Sequence, residues 1–182
     1  ESEAEINRLM ISNPLLAAIQ KHASIRYNKT DDNLFCKDPF KYIQHYKLTS
    51  EDGFTGCLIK RLIRAAENFD RTPQALLDQG HQTAGNFLLT DDPSIKRIKD
   101  IIAKSVIDYR RFFSGSTEGF IKNWPEDSLL HGWIIKIKSG GSLQSHMHKL
   151  GWLSGSIYLK LDKEAGSSHG NIVFDLHGGG YP

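Results

Sequence analysis

The chain has 182 residues, with 23 lysines and arginines against 21 aspartates and glutamates, which gives a formal net charge of +2. Hydrophobic residues make up 39% and charged residues 24%, a globular composition that excludes a disordered or collagen-like chain. No apolar run approaches the ~20 residues of a membrane span, and the scattered basic residues give no electrostatic footprint for nucleic acid. We therefore expect neither a membrane nor a nucleic-acid partner.

The N-terminus and the cysteine content bear on the compartment. The sequence opens Glu1-Ser2-Glu3-Ala4-Glu5, with no initiator methionine and without the apolar core of a signal peptide. Cys36 and Cys57 could form at most one disulfide, too few for a stapled secreted scaffold. We expect a reduced, cytoplasmic setting, and we interpret the start as a cut from a longer chain.

The first 33 residues are predicted to form a helical segment. Two short helices, Glu3–Leu9 and Leu15–Ile25, are separated by Ser12-Asn13-Pro14, where the proline begins the second helix. A polar, turn-rich stretch follows over residues 27–33. The next stretch, 34–48, is mixed and aromatic and receives no assignment.

Two amphipathic helices are predicted between residues 50 and 113. The first covers Ser50–Phe69, with Ser50 as its N-cap. The second covers Pro93–Phe113, with Asp92 at the cap and proline at the first helical position. Between them, Gln82–Leu89 is predicted to be a strand because glycine and proline breaks bound it.

The second half of the chain switches to the two-residue period of strands. Strands are predicted from Leu129 onward and over Leu143–His148, Leu153–Leu161 and Asn171–Leu176, with Ser139-Gly140-Gly141 as a turn. Short strands with glycine-rich turns predict an antiparallel sandwich or barrel. About five strands are present where a closed jelly roll needs about eight, so we interpret the sequence as truncated at this end too.

The constellation best suited to chemistry is His146-Met147-His148. In an extended strand, residues two apart project to the same face, so both imidazoles could reach one ion, with Gln144 beside them. Imidazole suits iron, zinc, nickel and copper alike, so the spacing does not select the metal. The competing interpretation is two polar surface positions on a strand.

The segment Ser145–Leu159, which reads SHMHKLGWLSGSIYL, resembles the core motif of 2-oxoglutarate/Fe(II)-dependent oxygenases. The branch it resembles is often found behind tetratricopeptide repeats, and its motif has His-x-His, Leu-Ser-Gly, an apolar residue and Tyr-Tyr or similar. Upstream residues 80–83 and downstream residues 170–174 are placed as in that family. The likeness extends from about Asn33 to the end, but only the fifteen-residue core is specific.

This resemblance implies an α+β fold built on a double-stranded β-helix, which is a jelly-roll or cupin-like barrel with helices packed on its outer sheet. Its C-terminal strands would be missing from the sequence. Residues 1–33 would be an N-terminal helical segment and residues 34–182 the oxygenase-like domain. Within that domain, residues 34–119 would be helical support and residues 120–182 a partial β-helix core.

The resemblance also implies Fe(II) as the metal and 2-oxoglutarate as co-substrate. Carried onto this chain, His146 matches the proximal histidine ligand, and His148 falls where most relatives outside the branch carry Asp or Glu. The third metal ligand and the basic residue that binds 2-oxoglutarate would lie beyond Pro182. His169 and His177 occupy polar or glycine-rich loops and are interpreted as surface residues.

Tyr158 and Lys160 are the candidate residues for binding 2-oxoglutarate. They share one face of the predicted strand, and in some jumonji-like relatives a lysine at about this distance binds the far carboxylate. A phenol and an ammonium suit such an anion. The competing interpretation is a solvated outer face.

The function expected from the sequence is a 2-oxoglutarate-dependent hydroxylase that acts on an unidentified small molecule or peptide with O2. One alternative is a cupin-like metal dioxygenase that does not use 2-oxoglutarate, which the replacement of a carboxylate by His148 favours. Another is a non-catalytic β-barrel that binds a partner protein. If the open sheet edge pairs with a second copy, we expect a homo-oligomer.

Overall fold

The computed structural model describes residues 3–161 and 170–176. The helices are α1 Glu3–Ser12, α2 Pro14–Arg26, α3 Gly56–Glu67, α4 Pro93–Phe112 and α5 Gly119–Lys122, with 3₁₀ turns at Pro39–Tyr42 and Phe87–Leu89. The strands are β1 Arg71–Thr72, β2 Leu77–Thr83 and β3 Ile135–Leu143. The described residues thus form a mixed α/β structure with one three-stranded antiparallel sheet in the order β1-β2-β3.

The chain divides into two compact units, each assembled from separate stretches of sequence. The first unit comprises Glu1–Gln44, Arg110–Glu126 and His146–Pro182, as far as these residues are described. The second comprises His45–Tyr109 and Asp127–Ser145. The histidine motif therefore belongs to the first unit and the sheet to the second.

In the first unit, α1 and α2 form the predicted helix pair. Asn13 caps α2, and its side chain accepts hydrogen bonds from the backbone N–H groups of Leu15 and Leu16 at 3.0 and 3.1 Å. Pro14 opens the helix at the position where its missing N–H has no cost. The predicted break at residues 12–14 is confirmed, although both helices extend beyond the predicted ends.

Asn33 ties the segment after α2 back onto that helix. Its side chain is buried, with 2% of its surface exposed. The amide nitrogen donates to the Ala17 carbonyl at 2.8 Å, and the amide oxygen accepts from the N–H groups of Phe35 and Cys36 at 3.0 and 2.9 Å. A buried amide with its hydrogen bonds satisfied fixes the backbone of this otherwise irregular stretch.

An aromatic cluster forms the centre of the first unit. It consists of Phe35, Tyr42, Phe113, Phe120 and Trp152, with ring centroids 4.8 to 5.7 Å apart between contacting pairs. Tilted and edge-to-face pairs at these distances add stabilisation beyond the burial of apolar area. The cluster joins the segment that follows α2, the residues after α4, and the segment that follows the histidine motif.

Helix α5 approaches the segment before Phe35 very closely. The Phe120 N–H donates to the Phe35 carbonyl at 3.0 Å. A Cβ atom added at Gly119 would lie 2.2 Å from the Leu34 carbonyl oxygen. Only glycine therefore allows α5 to sit at this position.

In the second unit, α3 begins later than the sequence predicts. Thr55 is the N-cap, and its side chain accepts from the Leu58 N–H at 3.2 Å, whereas residues 50–53 form a turn. The predicted start at Ser50 is wrong, because Gly53 takes a φ of 81° and interrupts the helical backbone. Leu62 lies on the buried face, as the helical periodicity predicts.

Helix α4 follows its prediction to within one residue. Asp92 caps it, accepting hydrogen bonds from the backbone and hydroxyl of Ser94 and from the Ile95 N–H. Ile95, Ile98 and Tyr109 of the predicted apolar stripe are buried. Caps and apolar periodicity together define such a helix without reference to its neighbours.

The sheet differs from the prediction at both ends of β2. β2 ends at Thr83, and Phe87–Leu89 is a 3₁₀ turn, so the strand predicted over Gln82–Leu89 is mostly wrong. The Asn86 side chain explains the change, since its amide oxygen accepts from the N–H groups of Leu88 and Gly132 at 3.2 and 3.0 Å. These bonds turn the chain out of the sheet.

The residues predicted to form a turn, Ser139-Gly140-Gly141, lie within β3, at a point where its pairing with β2 is irregular. The register passes from Asp78 opposite Ser142 to Gly80 opposite Ile137, so β3 carries extra residues there. Gly140 has a φ of 80°. The glycines therefore mark a bulge rather than a reversal of the chain.

The strands predicted beyond residue 143 are not formed. Residues 144–148, 153–161 and 171–176 have no regular secondary structure, although their apolar residues alternate as in strands. A strand requires a ladder of hydrogen bonds to a neighbouring strand, and among residues 3–161 and 170–176 such ladders join β1, β2 and β3 only. The described part of the chain contains a three-stranded sheet and no barrel, and His169 and His177 lie outside it.

No helix among the described residues is long and apolar enough to cross a membrane.

The cap of α3 can be tested by substitution. Thr55→Ala should lower the free energy of unfolding by about 1 kcal/mol, because the Leu58 N–H loses its partner. Ser50→Ala, the matched control at the position predicted from sequence, should change it by less than ~0.5 kcal/mol. Urea denaturation of both variants measures the difference, and an equal or larger loss at Ser50 would contradict the observed start of the helix.

The cap of α4 predicts a pH dependence of stability. Hydrogen bonds from the Ser94 hydroxyl and backbone hold the pKa of Asp92 below its ordinary value of 3.8. The stabilisation is therefore present above that value and is lost as pH falls through the lowered folded-state pKa. Compared with Asp92→Asn in urea denaturation, the native chain should be more stable near neutral pH, and the difference should shrink as pH falls below 3.8.

Candidate metal centre

The histidine motif lies just beyond the end of β3 in sequence. Directly after β3, the Gln144 N–H donates a hydrogen bond to the carbonyl of Leu76, the residue before β2, at 2.8 Å. His146 and His148 are exposed residues in a segment without regular structure. The strand that was predicted to place both rings on one face is therefore absent.

The two imidazole rings are nevertheless brought together. Their centroids lie 5.2 Å apart and their planes are inclined by 50°. Imidazole nitrogens bind divalent metals at about 2.0–2.1 Å, so two rings that share one ion have their centres about 5 Å apart. The observed spacing fits a metal held by both rings.

A hydrogen bond orients one of the two rings. The Nδ1 atom of His148 lies 2.9 Å from the hydroxyl oxygen of Ser154. The Gly151 N–H donates to the His148 carbonyl at 2.9 Å and closes a turn over residues 148–151, between His148 and Ser154. The sequence predicts a strand over Leu153–Leu161, which contains Ser154, and does not predict this contact. The only local signal for it is the glycine three residues before the serine.

Trp152 fixes this loop to the aromatic cluster. Its indole Nε1–H donates to the Phe120 carbonyl at 3.0 Å, and its ring meets Phe35 edge-on with centroids 5.0 Å apart. A half-buried tryptophan with its one donor satisfied is a strong anchor. The loop that carries the histidines is thereby held on a packed support.

Electrostatics favour neutral imidazole at His148. Loss of hydration lowers the pKa of His148 below its ordinary value, and the neighbouring positive charge of His146 lowers it further. Neutral imidazole is the form that donates a lone pair to a metal. The His148 ring is thus suited to a cation rather than to an anion.

The other predicted site residues are not assembled by a strand. Tyr158 and Lys160 are exposed and lie in the irregular stretch after the loop. Because no strand forms there, the alternation that placed both side chains on one face does not apply. Their role as an anion-binding pair stays a prediction.

A third metal ligand is not found among the residues that the structure describes. Within them, no group of three or more His, Cys, Asp or Glu side chains is placed to hold one ion. The structure thus supplies two ligands of a candidate site.

The cysteines are both free thiols and differ in their surroundings. Burial, with a smaller effect from Glu118, raises the pKa of the Cys36 thiol to about 12. This thiol is therefore protonated at neutral pH and is a poor nucleophile or metal ligand. Cys57 is exposed on α3.

A comparison with protein families matches part of the chain to a family model. The model of the family described as "Putative 2OG-Fe(II) oxygenase" matches residues 131–176, about a quarter of the chain. The matched stretch contains His146, His148 and the Ser154 loop, and it supports the oxygenase family that the sequence resembles. No curated protein and no solved structure matches the chain.

The tryptophan anchor can be tested separately from metal binding. Trp152→Phe keeps an aromatic ring but leaves the Phe120 carbonyl without its donor, so the free energy of unfolding should fall by about 1 kcal/mol. The NMR signals of the His148 ring should shift. Trp124→Phe is the matched control and should leave those signals in place. Unchanged His148 signals in Trp152→Phe would show that the anchor does not position the loop.

Proposed function

We propose that the chain is a non-haem Fe(II) and 2-oxoglutarate-dependent oxygenase that hydroxylates an unidentified substrate. The observation that carries the proposal is the pair of imidazoles 5.2 Å apart inside the stretch that matches the oxygenase family. A family match without paired ligands would suggest a retained fold alone. Paired histidines without the match would leave the metal and its chemistry open.

His146 and His148 would hold the iron, which when bound supplies the redox chemistry that activates O2. Both side chains are neutral as ligands, so this pair leaves the full positive charge of the ion uncompensated. A carboxylate in place of His148 would cancel one unit of it. The histidine therefore favours an anionic co-substrate such as 2-oxoglutarate electrostatically.

Tyr158 and Lys160 would bind the far carboxylate of 2-oxoglutarate. The ammonium of Lys160 supplies charge and the Tyr158 hydroxyl supplies a directed hydrogen bond. Both residues lie within the matched stretch. The third metal ligand and a further basic residue remain unassigned among the described residues.

The architecture we propose around this site is the jelly-roll barrel, with residues 34–182 as the oxygenase-like domain and residues 1–33 as a helical attachment of the tetratricopeptide-linked branch. Support comes from apolar side chains that strand pairing would cover. Val173 is 81% exposed and Phe174 is 52% exposed. Pairing of residues 153–161 and 171–176 with further strands, including those of a second copy, would bury part of this surface.

A second candidate function is a metal dioxygenase that does not use 2-oxoglutarate. The observation that favours it is His148 itself, since a histidine replaces the carboxylate of the usual facial triad. The substrate would be a small molecule or peptide in either case. The two candidates differ in whether substrate turnover with O2 produces succinate.

Metal and co-substrate binding provide the test. Anaerobic titration with Fe(II) and then 2-oxoglutarate should produce a weak visible charge-transfer band, and exposure to O2 should yield succinate. His146→Ala and His148→Ala should each weaken Fe(II) binding by more than ~100-fold, the upper end of what loss of an outer-shell partner costs. His148→Asp should retain binding, because a carboxylate is also an iron ligand.

His45→Ala is the matched control, since His45 is an exposed histidine of the second unit, and it should bind Fe(II) as the native chain does. Metal bound by both histidines with O2 consumed but no succinate formed would support the second candidate. Fe(II) binding that survives both substitutions would overturn the assignment of the ligands.

A further inference from the structure

Ser154 is placed to control which nitrogen of His148 is available. The ring has two nitrogens, and a histidine that binds metal through one of them normally donates the N–H of the other to a fixed acceptor. In this structure, Nδ1 of His148 lies 2.9 Å from the Ser154 hydroxyl. One ring nitrogen therefore already has a hydrogen-bond partner within the protein.

We infer that Ser154 is a positioning residue, which accepts a hydrogen bond from Nδ1–H of His148 and so leaves Nε2 as the metal-binding atom. This inference rests on the proposed function, because it assigns an atom within that same metal site. A hydroxyl can donate or accept. Metal at Nε2 requires the proton to lie on Nδ1, and the hydroxyl then acts as acceptor.

The loop between the two residues is built to hold this contact. The Gly151 N–H bond to the His148 carbonyl, at 2.9 Å, turns the chain so that residue 154 comes back beside residue 148. A Cβ atom at Gly151 would lie 3.2 Å from the Ser154 hydroxyl oxygen and 3.4 Å from the His148 Cβ. The absence of a side chain at residue 151 thus leaves the space that the hydroxyl occupies.

The backbone that carries Ser154 is anchored two residues earlier. Trp152 donates to the Phe120 carbonyl at 3.0 Å and packs against Phe35. A serine side chain has a single heavy-atom torsion, so an anchored backbone determines the position of its hydroxyl closely. The orientation of the His148 ring therefore depends on the aromatic cluster, through the contacts of Trp152 with the cluster and of Ser154 with the ring.

The hydroxyl also suits the charge of the site. A carboxylate acceptor in this position would add a negative charge near the metal and make the imidazole a stronger ligand. Serine occupies Nδ1 without adding charge. The neutral acceptor thus preserves the positive potential that an anionic co-substrate would meet at a centre held by two neutral histidines.

The experiment uses Zn²⁺ as a diamagnetic probe, with the native chain, Ser154→Ala and Ser154→Thr. Zn²⁺ affinity should fall about 10- to 100-fold in Ser154→Ala and should recover in Ser154→Thr, which restores a hydroxyl. Long-range ¹H–¹⁵N spectra of the Zn²⁺-loaded native chain should show the proton on Nδ1 of His148 and the metal on Nε2. Ser156→Ala, an exposed serine of the same segment, should bind as the native chain does.

Two failures are distinguishable in this experiment. If His146→Ala and His148→Ala bind Zn²⁺ as tightly as the native chain, the proposed metal site is wrong. If those variants lose the metal but Ser154→Ala keeps native affinity, or if Nδ1 of His148 carries the metal, the proposed site stands and the role of Ser154 is overturned. Circular dichroism of each variant establishes that the fold is retained.

Discussion

The hydrogen bond from the Trp152 indole to the Phe120 carbonyl connects the packed part of the first unit to the loop that carries the two histidines. On one side of this bond are the aromatic rings and the buried Asn33 that fix the helical segments. On the other side is an exposed loop with the two histidines. Since exposed loops have little burial of their own to order them, the geometry of the imidazole pair depends on this attachment.

The histidine pair illustrates how a loop can replace a strand in bringing two side chains together. A strand would place residues two apart on one face by its period alone. Here the turn after His148 and its contact with Ser154 orient that ring, and His146 lies beside it. The same pair of side chains converges through a different backbone, which is why the motif remained informative although the predicted strand is absent.

The sequence predicts the helices well and the sheet poorly, for a physical reason. Helices α2 and α4 carry their own caps, prolines and apolar faces, which are local signals. The start of α3 was misjudged because Ser50 and Thr55 are both good caps and only the turn at Gly53 decides between them. Strand formation depends on distant partners, so alternation over residues 153–161 could not show whether pairing occurs.

For the candidate site, the sequence predicts His146 and His148 as a pair but does not predict the contacts around them. The residue types and their spacing suffice to suggest a pair of side chains that could bind one metal ion. The Ser154 contact depends on how a seven-residue loop closes, and the Trp152 anchor depends on a carbonyl more than 30 residues earlier in the chain. Neither appears as a periodic pattern, so neither could be predicted without coordinates.

The close approach at Gly119 makes the position of the histidine loop depend on a residue outside that loop. A methyl group there would collide with the Leu34 carbonyl and would displace α5. The next residue of that helix, Phe120, supplies the carbonyl that accepts the Trp152 hydrogen bond. A change at residue 119 should therefore be transmitted along the backbone to the loop that carries the two histidines. In a population of variants, substitutions at this glycine would disturb the histidine pair while leaving both histidines in the sequence intact.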